Sequence, residues 1–187
     1  MNETDQIFLA RQGDERAWGA LVQEHQEALF RLAYLLLGDA DEAADVAQEA
    51  LIRAFHALAR FDPARPLRPW LLQITKNLAR NRRRSVRRYL AAVSRWWQTL
   101  PSEAEGPTAA TLRTQEAQEL WQAVQQLQMS DQEVIYLRYF LELSVADTAS
   151  VLGVAEGTVK SRLSRALARL RTVVEQHFPG LQKEGAQ

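Results

Sequence analysis

The sequence predicts an all-α protein of two small helical domains joined by a linker, the C-terminal one containing a helix-turn-helix. Three observations carry that prediction. Apolar residues recur at spacings of three and four through most of the chain, and no stretch shows strand-like alternation. The periodicity lapses over residues 91–115, where Pro101, Gly106 and Pro107 accumulate, so one domain is expected over 5–90 and another over 116–175. Near the end, residues 143–171 combine a cap, a short helix, a glycine turn and a second amphipathic helix.

The first helix is expected from Asp14, with Trp18, Leu21, Val22, His25, Leu29, Leu32, Ala33 and Leu36 as one broad apolar face. Gly38 ends it, and Asp39 or Asp41 can cap the next. That next helix, over 42–60, turns Ala47, Ala50, Leu51, Ala54, Phe55 and Leu58 inward. Asp45, Gln48, Glu49 and Ile52 share a different face, which reads either as solubilising surface or as a docking patch. Pro63, Pro66 and Pro69 make residues 61–69 a stiff loop, and a third helix is expected from Trp70 with Leu71, Ile74, Leu78 and Ala79 as its apolar set. It runs into Arg80, Arg82, Arg83, Arg84, Arg87 and Arg88. Such a run is either a solvated charged end or, beside Trp70, Asn77 and Tyr89, a surface where cations track phosphates and planar groups meet bases.

Two adjacent tryptophans in the linker, Trp96 and Trp97, are expected to cover an apolar patch. The second domain opens with a helix using Leu120, Val124 and Leu127, and the run Ser130-Asp131-Gln132-Glu133 reads as a capping box before Val134, Ile135 and Leu137. In the closing segment Ser144 and Asp147 cap a helix ending at Leu152, and Gly153 makes the turn. The last helix places Val154, Val159, Leu163, Leu167 and Leu170 on one face and Lys160, Ser161, Arg162, Ser164, Arg165 and Arg169 on the other. Short polar residues among cations suit a major groove, where arginine reads guanine edges and lysine reaches phosphate. The bland reading of the same pattern is a solvated basic face.

Composition narrows the classes. No cysteine occurs among the 187 residues, which excludes disulfides and thiolate metal sites. His25, His56 and His177 have no ligand spacing, and no Glu-x-x-His pair or nucleophile–base set occurs, so no metal, cofactor or catalytic site is expected. No apolar run approaches the ~20 residues that span a bilayer, and no signal-peptide pattern opens the chain; a cytoplasmic protein without membrane insertion is expected. The net charge is zero, but it is strongly patterned. Residues 1–61 hold 5 Lys/Arg against 11 Asp/Glu, and residues 62–99 hold 10 against 1. Residues 100–133 hold 1 against 6, and residues 134–187 hold 7 against 5. Two basic surfaces alternating with two acidic ones suggest two contacts with one polyanion.

Three stretches together, DADEAADVAQEALIRAF, FDPARPLRPWLLQITKNLARNRRR and LGVAEGTVKSRLSRALARLR, resemble the group 4, or extracytoplasmic-function, sigma factors of bacterial RNA polymerase. The resemblance covers residues 5–90 and 116–175. It implies a factor without catalytic activity that binds core polymerase and directs promoter-specific initiation, reading the −35 element as duplex and the −10 element as a melted strand. Asp45, Gln48 and Glu49, with Ile52, then correspond to the face that binds the clamp coiled coil of the polymerase largest subunit. Asn77, Arg80, Arg83, Arg84, Arg87 and Arg88 correspond to the −10 surface. Thr158, Lys160, Ser161, Ser164 and Arg165 fall on −35 recognition positions, and Arg138 on a further DNA-contacting one. The polymerase flap and an anti-sigma factor are further implied partners. Thr148 departs from the family pattern where an aliphatic residue usually packs, and Leu71 replaces a second tryptophan. Two other readings remain at this point. An ordinary regulator would use the helix-turn-helix but leave the Arg80–Arg88 stripe without a task. An enzyme on the N-terminal half would lack a catalytic set.

Overall fold

The computed structural model describes residues 2–94 and 112–178, with side chains over 2–85 and 118–178. Of the linker expected over 91–115, residues 95–111 with the Trp96–Trp97 pair lie outside the described residues, whereas 91–94 continue one helix and 112–115 begin the next; the side chains of Arg87, Arg88 and Tyr89 also lie outside. Every regular element described is helical.

The N-terminal bundle begins with a helix the periodicity did not foresee, α1 (Glu3–Arg11), capped by the Asn2 side chain on the Asp5 N–H at 2.8 Å. Only Ile7 and Ala10 of α1 are buried, so its apolar signal is two residues deep. Arg11 adds a polar tie, its guanidinium donating to the carbonyls of Leu58 and Phe61. Helix α2 (Glu15–Leu37) follows, capped by Asp14 and ended by Gly38, whose φ of 78° is the left-handed geometry that favours glycine there. Asp39 caps α3 (Ala40–Ala57), which tightens into a 3₁₀ turn at Leu58–Arg60.

Helix α4 (Leu67–Ser94) starts three residues before the expected Trp70. Pro69 does not prevent this, because the first-turn N–H groups of a helix have no intrahelical partner to lose. The early start buries Leu67 along with Leu71, Leu72 and Ala79. Burial of each such leucine contributes about 1.5–3 kcal/mol. The inner face of α3 is narrower than expected: Ala43, Val46, Ala47, Ala50 and Ala54 are buried, whereas Phe55 is 46% exposed. Small residues let α3 approach α2 and α4 closely, and the large ring is displaced to the rim, 5.3 Å from Trp18.

The C-terminal domain comprises α5 (Leu112–Gln125), α6 (Met129–Ile135) with a wide turn at Tyr136–Phe140, α7 (Val145–Leu152) and α8 (Glu156–His177). Val124 and Leu127 are buried as expected, but Leu120 is exposed, and Trp121 packs on Tyr136 and Phe140 instead. The capping box is a second difference. Helix α6 starts at Met129 after Gln128, which makes no side-chain cap, leaving Glu133 to another task. The turn is as read: Ser144 Oγ accepts the Asp147 N–H at 2.9 Å, and Gly153 has φ 68°. The buried seam of α8 runs through Val159, Leu163, Ala166, Leu170 and Val173, with Leu167 outside it. The two domains touch, α7 packing against α4.

Candidate nucleic-acid and protein interfaces

Because Asp39 starts α3 where it does, Asp45, Gln48, Glu49 and Ile52 fall along one outer strip. All four line a single open groove of about 530 Å³, closed on its far side by Leu78, Asn81, Arg82 and Ser85 of α4. An apolar hollow of about 350 Å³ adjoins it, sharing Gln48 and Ile52 and adding Trp18, Val22, Leu51 and Phe55. Ile52 is 54% exposed. An apolar centre with a polar rim is the usual build of a protein-docking surface. The carboxylates are partly engaged already: Arg82 bonds Glu42 and reaches Asp45 Oδ2 at 3.3 Å, and Glu49 holds Arg53 at 2.7 Å. Donating to the Glu42 carboxylate raises the Arg82 pKa further, so that side chain keeps its charge.

Asn77 is exposed on α4 and lines a hollow of about 310 Å³ with Arg53, Trp70 and Asn81. Trp70 is steadied by Phe61, the ring centroids 4.7 Å apart. Further along, the arginine run divides. Arg84 is exposed, but Arg80 Nε lies 2.6 Å from Glu133 Oε1, an ion pair without the alignment of a hydrogen bond. Arg83 donates to Gln132 Oε1 at 3.4 Å. Glu133 is 1% exposed, and burial pushes its carboxyl up against the opposing pull of Arg80, Lys76 and Arg162. Lys76, also buried, is shifted down by desolvation, and its Nζ donates to the Val151 carbonyl at 2.7 Å. These contacts join the two domains.

On α8, Lys160, Ser161, Ser164 and Arg165 are exposed together. Arg165 Nε donates to the Ser161 carbonyl at 3.2 Å, and the Ser161 hydroxyl to that of Thr158, itself half-buried, at 3.1 Å. Two cations assigned to this face by periodicity are used elsewhere. Arg169 pairs with buried Asp131 at 2.5 Å, and Arg162 faces Glu133. Arg138 turns inward, its guanidinium donating to the Leu143 carbonyl and bracing the wide turn after α6. Thr148 is fully buried, and its Oγ1 has no hydrogen-bond partner among the described residues.

A further cluster unites residues far apart in sequence: Glu3, Glu24 and His25, whose donor atoms lie within 4.8 Å of one another. His25 Nε2 is 3.4 Å from Glu3, and burial lowers the imidazole pKa. Glu3 also accepts the Leu67 N–H at 3.4 Å, and Arg68 adds positive charge beside the ring. The arrangement ties α1, α2 and the start of α4 together.

Residues 21–89 match the family Sigma-70 region 2, and residues 117–170 match Sigma-70, region 4. The ECF RNA polymerase sigma factor SigL of Mycobacterium tuberculosis is 37% identical over 158 residues, covering 84% of this chain and 88% of its own. The chain belongs to the extracytoplasmic-function sigma factors of the sigma-70 family. The sigma factor NccH of Alcaligenes xylosoxydans is similar too, 33% identical with 89% and 91% of the two chains covered. Among solved structures, CnrH in complex with the cytosolic domain of CnrY matches at a TM-score of 0.68 and 29% identity, covering 92% of this chain and 97% of that one. RpoE of Bartonella quintana, in complex with the anti-sigma factor NepR, matches at 0.64 and 26%, covering 85% and 97%. Members of this family are transcription initiation factors, not enzymes. The surfaces of this sigma factor are therefore built for binding.

Proposed function

We propose that this sigma factor, which directs promoter-specific initiation by core RNA polymerase, divides the work among three surfaces. The groove of Asp45, Gln48, Glu49 and Ile52 takes the clamp coiled coil of the polymerase largest subunit. Asn77, with Arg80, Arg83, Arg84, Arg87 and Arg88, takes the melted −10 strand, charge supplying affinity and Asn77 with the preceding loop supplying base choice. Lys160, Ser161, Ser164 and Arg165, with Thr158 and Arg138 behind them, take the −35 duplex. The domains run over 5–90 and 116–175, and residues 91–115 set the reach between the promoter elements.

The convergence of four separately spaced α3 residues on one groove with an apolar neighbour supports this reading most. The polymerase flap is the expected second contact, and an anti-sigma factor the expected inhibitor; the similar RpoE is solved in complex with the anti-sigma factor NepR. No described helix is long and apolar enough to cross a membrane, and we place the protein in the cytoplasm, where polymerase is. Run-off transcription with core polymerase tests the whole proposal. The chain should stimulate initiation at a subset of promoters from its own genome. Stimulation at none of them would overturn it.

A further inference from the structure

The cluster of Glu3, Glu24 and His25 has no part in the three binding surfaces, yet its geometry is that of a ligand set. Spacing along the chain does not disclose it, because packing of α1 on α2 is what brings Glu3 to the histidine. His25 is 4% exposed, and its Nε2 has no hydrogen-bond partner among the described residues. A buried polar atom in that state costs stability unless something binds it. The 3.4 Å from Nε2 to Glu3 Oε1 is long for a hydrogen bond. It matches two ligands on one tetrahedral ion, which stand ~3.4 Å apart when each bond is ~2.1 Å. All three donor atoms lie within 4.8 Å of one another. Glu24 is exposed, so a rotamer change can bring its carboxylate onto the same point.

We propose that Glu3, Glu24 and His25 bind one divalent first-row transition metal, zinc by preference, and that the ion fastens α1 to the rest of the N-terminal bundle. Two carboxylates balance the charge of such an ion, and the imidazole selects zinc over magnesium or calcium, which take oxygen shells. Glu24 and His25 line an open crevice of about 520 Å³, which gives the metal an entry path and a water for its fourth position. Glu3 Oε2 accepts the Leu67 N–H at 3.4 Å, leaving Oε1 toward the ring, as an outer hydrogen bond orients a ligand. Arg31 and Arg68 oppose a cation there, but Glu3, Glu24, Glu27 and Glu142 outnumber them, and Arg68 is turned to the Leu141 carbonyl at 3.3 Å. The helix so fastened is one that needs it. Only Ile7 and Ala10 anchor α1 by burial, while Arg11 at its far end holds the carbonyls of Leu58 and Phe61. A metal on Glu3 would secure the opposite end.

The full-length chain, stripped by a chelator and then dialysed against zinc, tests this directly. It should take up one equivalent of zinc, and magnesium at the same concentration should not displace it. Free zinc at a hundredfold excess over the dissociation constant should raise the thermal midpoint by about 5 °C. Glu24→Gln should weaken zinc binding at least about tenfold, since loss of even an outer-shell partner costs that much. Its metal-free midpoint should stay that of the wild type, because Glu24 is exposed. His25→Gln should abolish binding, whereas His56→Gln, on an exposed residue of α3, should bind as the wild type does. Zinc-edge X-ray absorption should show only nitrogen and oxygen neighbours at ~2.0–2.2 Å, with imidazole scattering that His25→Gln removes. No zinc uptake by the wild type, or equal uptake by the wild type, Glu24→Gln and His25→Gln, would overturn the proposal. If His25→Gln does not fold, Glu24→Gln and the imidazole scattering of the wild type decide the matter. None of these readouts depends on how the chain reads a promoter.

Discussion

Helices α4 and α8 are both arginine-rich and both amphipathic, yet the fold treats their cations oppositely. On α4, Arg80 and Arg82 are held by carboxylates from other helices, Glu133 of α6 and Glu42 and Asp45 of α3. On α8, Lys160 and Arg165 point into solvent, and the carboxylate-bound arginine near the seam, Arg169, serves the domain core. The difference teaches that charge density alone does not identify a binding surface. A cation on a helix is available only if no carboxylate on a neighbouring element has claimed it.

The strongest way to break the comparison is at the α3 side of the shared groove. Asp45→Arg with Glu49→Arg should weaken core polymerase binding about a hundredfold, because reversed charges at a contact cost several kcal/mol. Helix content by circular dichroism should stay unchanged, since both residues face the groove and neither caps a helix. Loss of helicity would mean that the strip braces the domain.

A comparison within α8 comes next. Arg169→Ala strands buried Asp131, so it should destabilise the C-terminal domain by about 2 kcal/mol, below the 3–5 kcal/mol of a fully buried pair because Arg169 is half exposed. Arg171→Ala breaks only an exposed pair with Glu175 and should cost about 0.3 kcal/mol. Urea unfolding of the two variants side by side distinguishes a core cation from a surface one. Equal midpoints would remove the distinction drawn for Arg169.

Arg165→Ala should relax base preference at one −35 position, by ~1–3 kcal/mol. Lys160→Ala should weaken all sequences alike and lower the salt slope by about one unit. Binding to a set of single-base −35 variants at two salt concentrations separates these effects. If Arg165→Ala keeps every base preference, the exposed face of α8 acts through charge alone.

The smallest effect is expected at His25, in the N-terminal bundle away from both basic helices. Its pKa is lowered by burial, so the folded state binds less proton than the unfolded one just below the ordinary value of 6.5. The sign follows: stability is full above that value and falls as pH drops from it through the lowered pKa. Thermal midpoints at pH 7.5 and 5.5 should therefore differ in the wild type more than in His25→Gln. An unchanged difference would assign the pH response to another group.

Local chemistry was legible without a structure wherever one residue decides a backbone conformation. Asp14, Asp39, Ser144, Gly38 and Gly153 end or begin helices because a side-chain oxygen or a missing Cβ acts within a few residues. The α3 strip was legible too, since helical period alone puts Asp45, Gln48, Glu49 and Ile52 on one side. Helix α1 was not, because two buried residues make too weak a period. The capping-box reading of Glu133 failed for a different reason. Its pattern was satisfied by sequence, but a buried carboxylate is governed by the nearest cation, and Arg80 lies 53 positions away. Arg162 and Arg169 turn to buried carboxylates by the same rule, and Arg138 to the Leu143 carbonyl. The sequence by itself thus determined most of the helices, several of their caps and the family. Tertiary structure alone decided which charges remain free, because an ion pair depends on distance in space, and periodicity reports only the direction in which each side chain leaves its own helix.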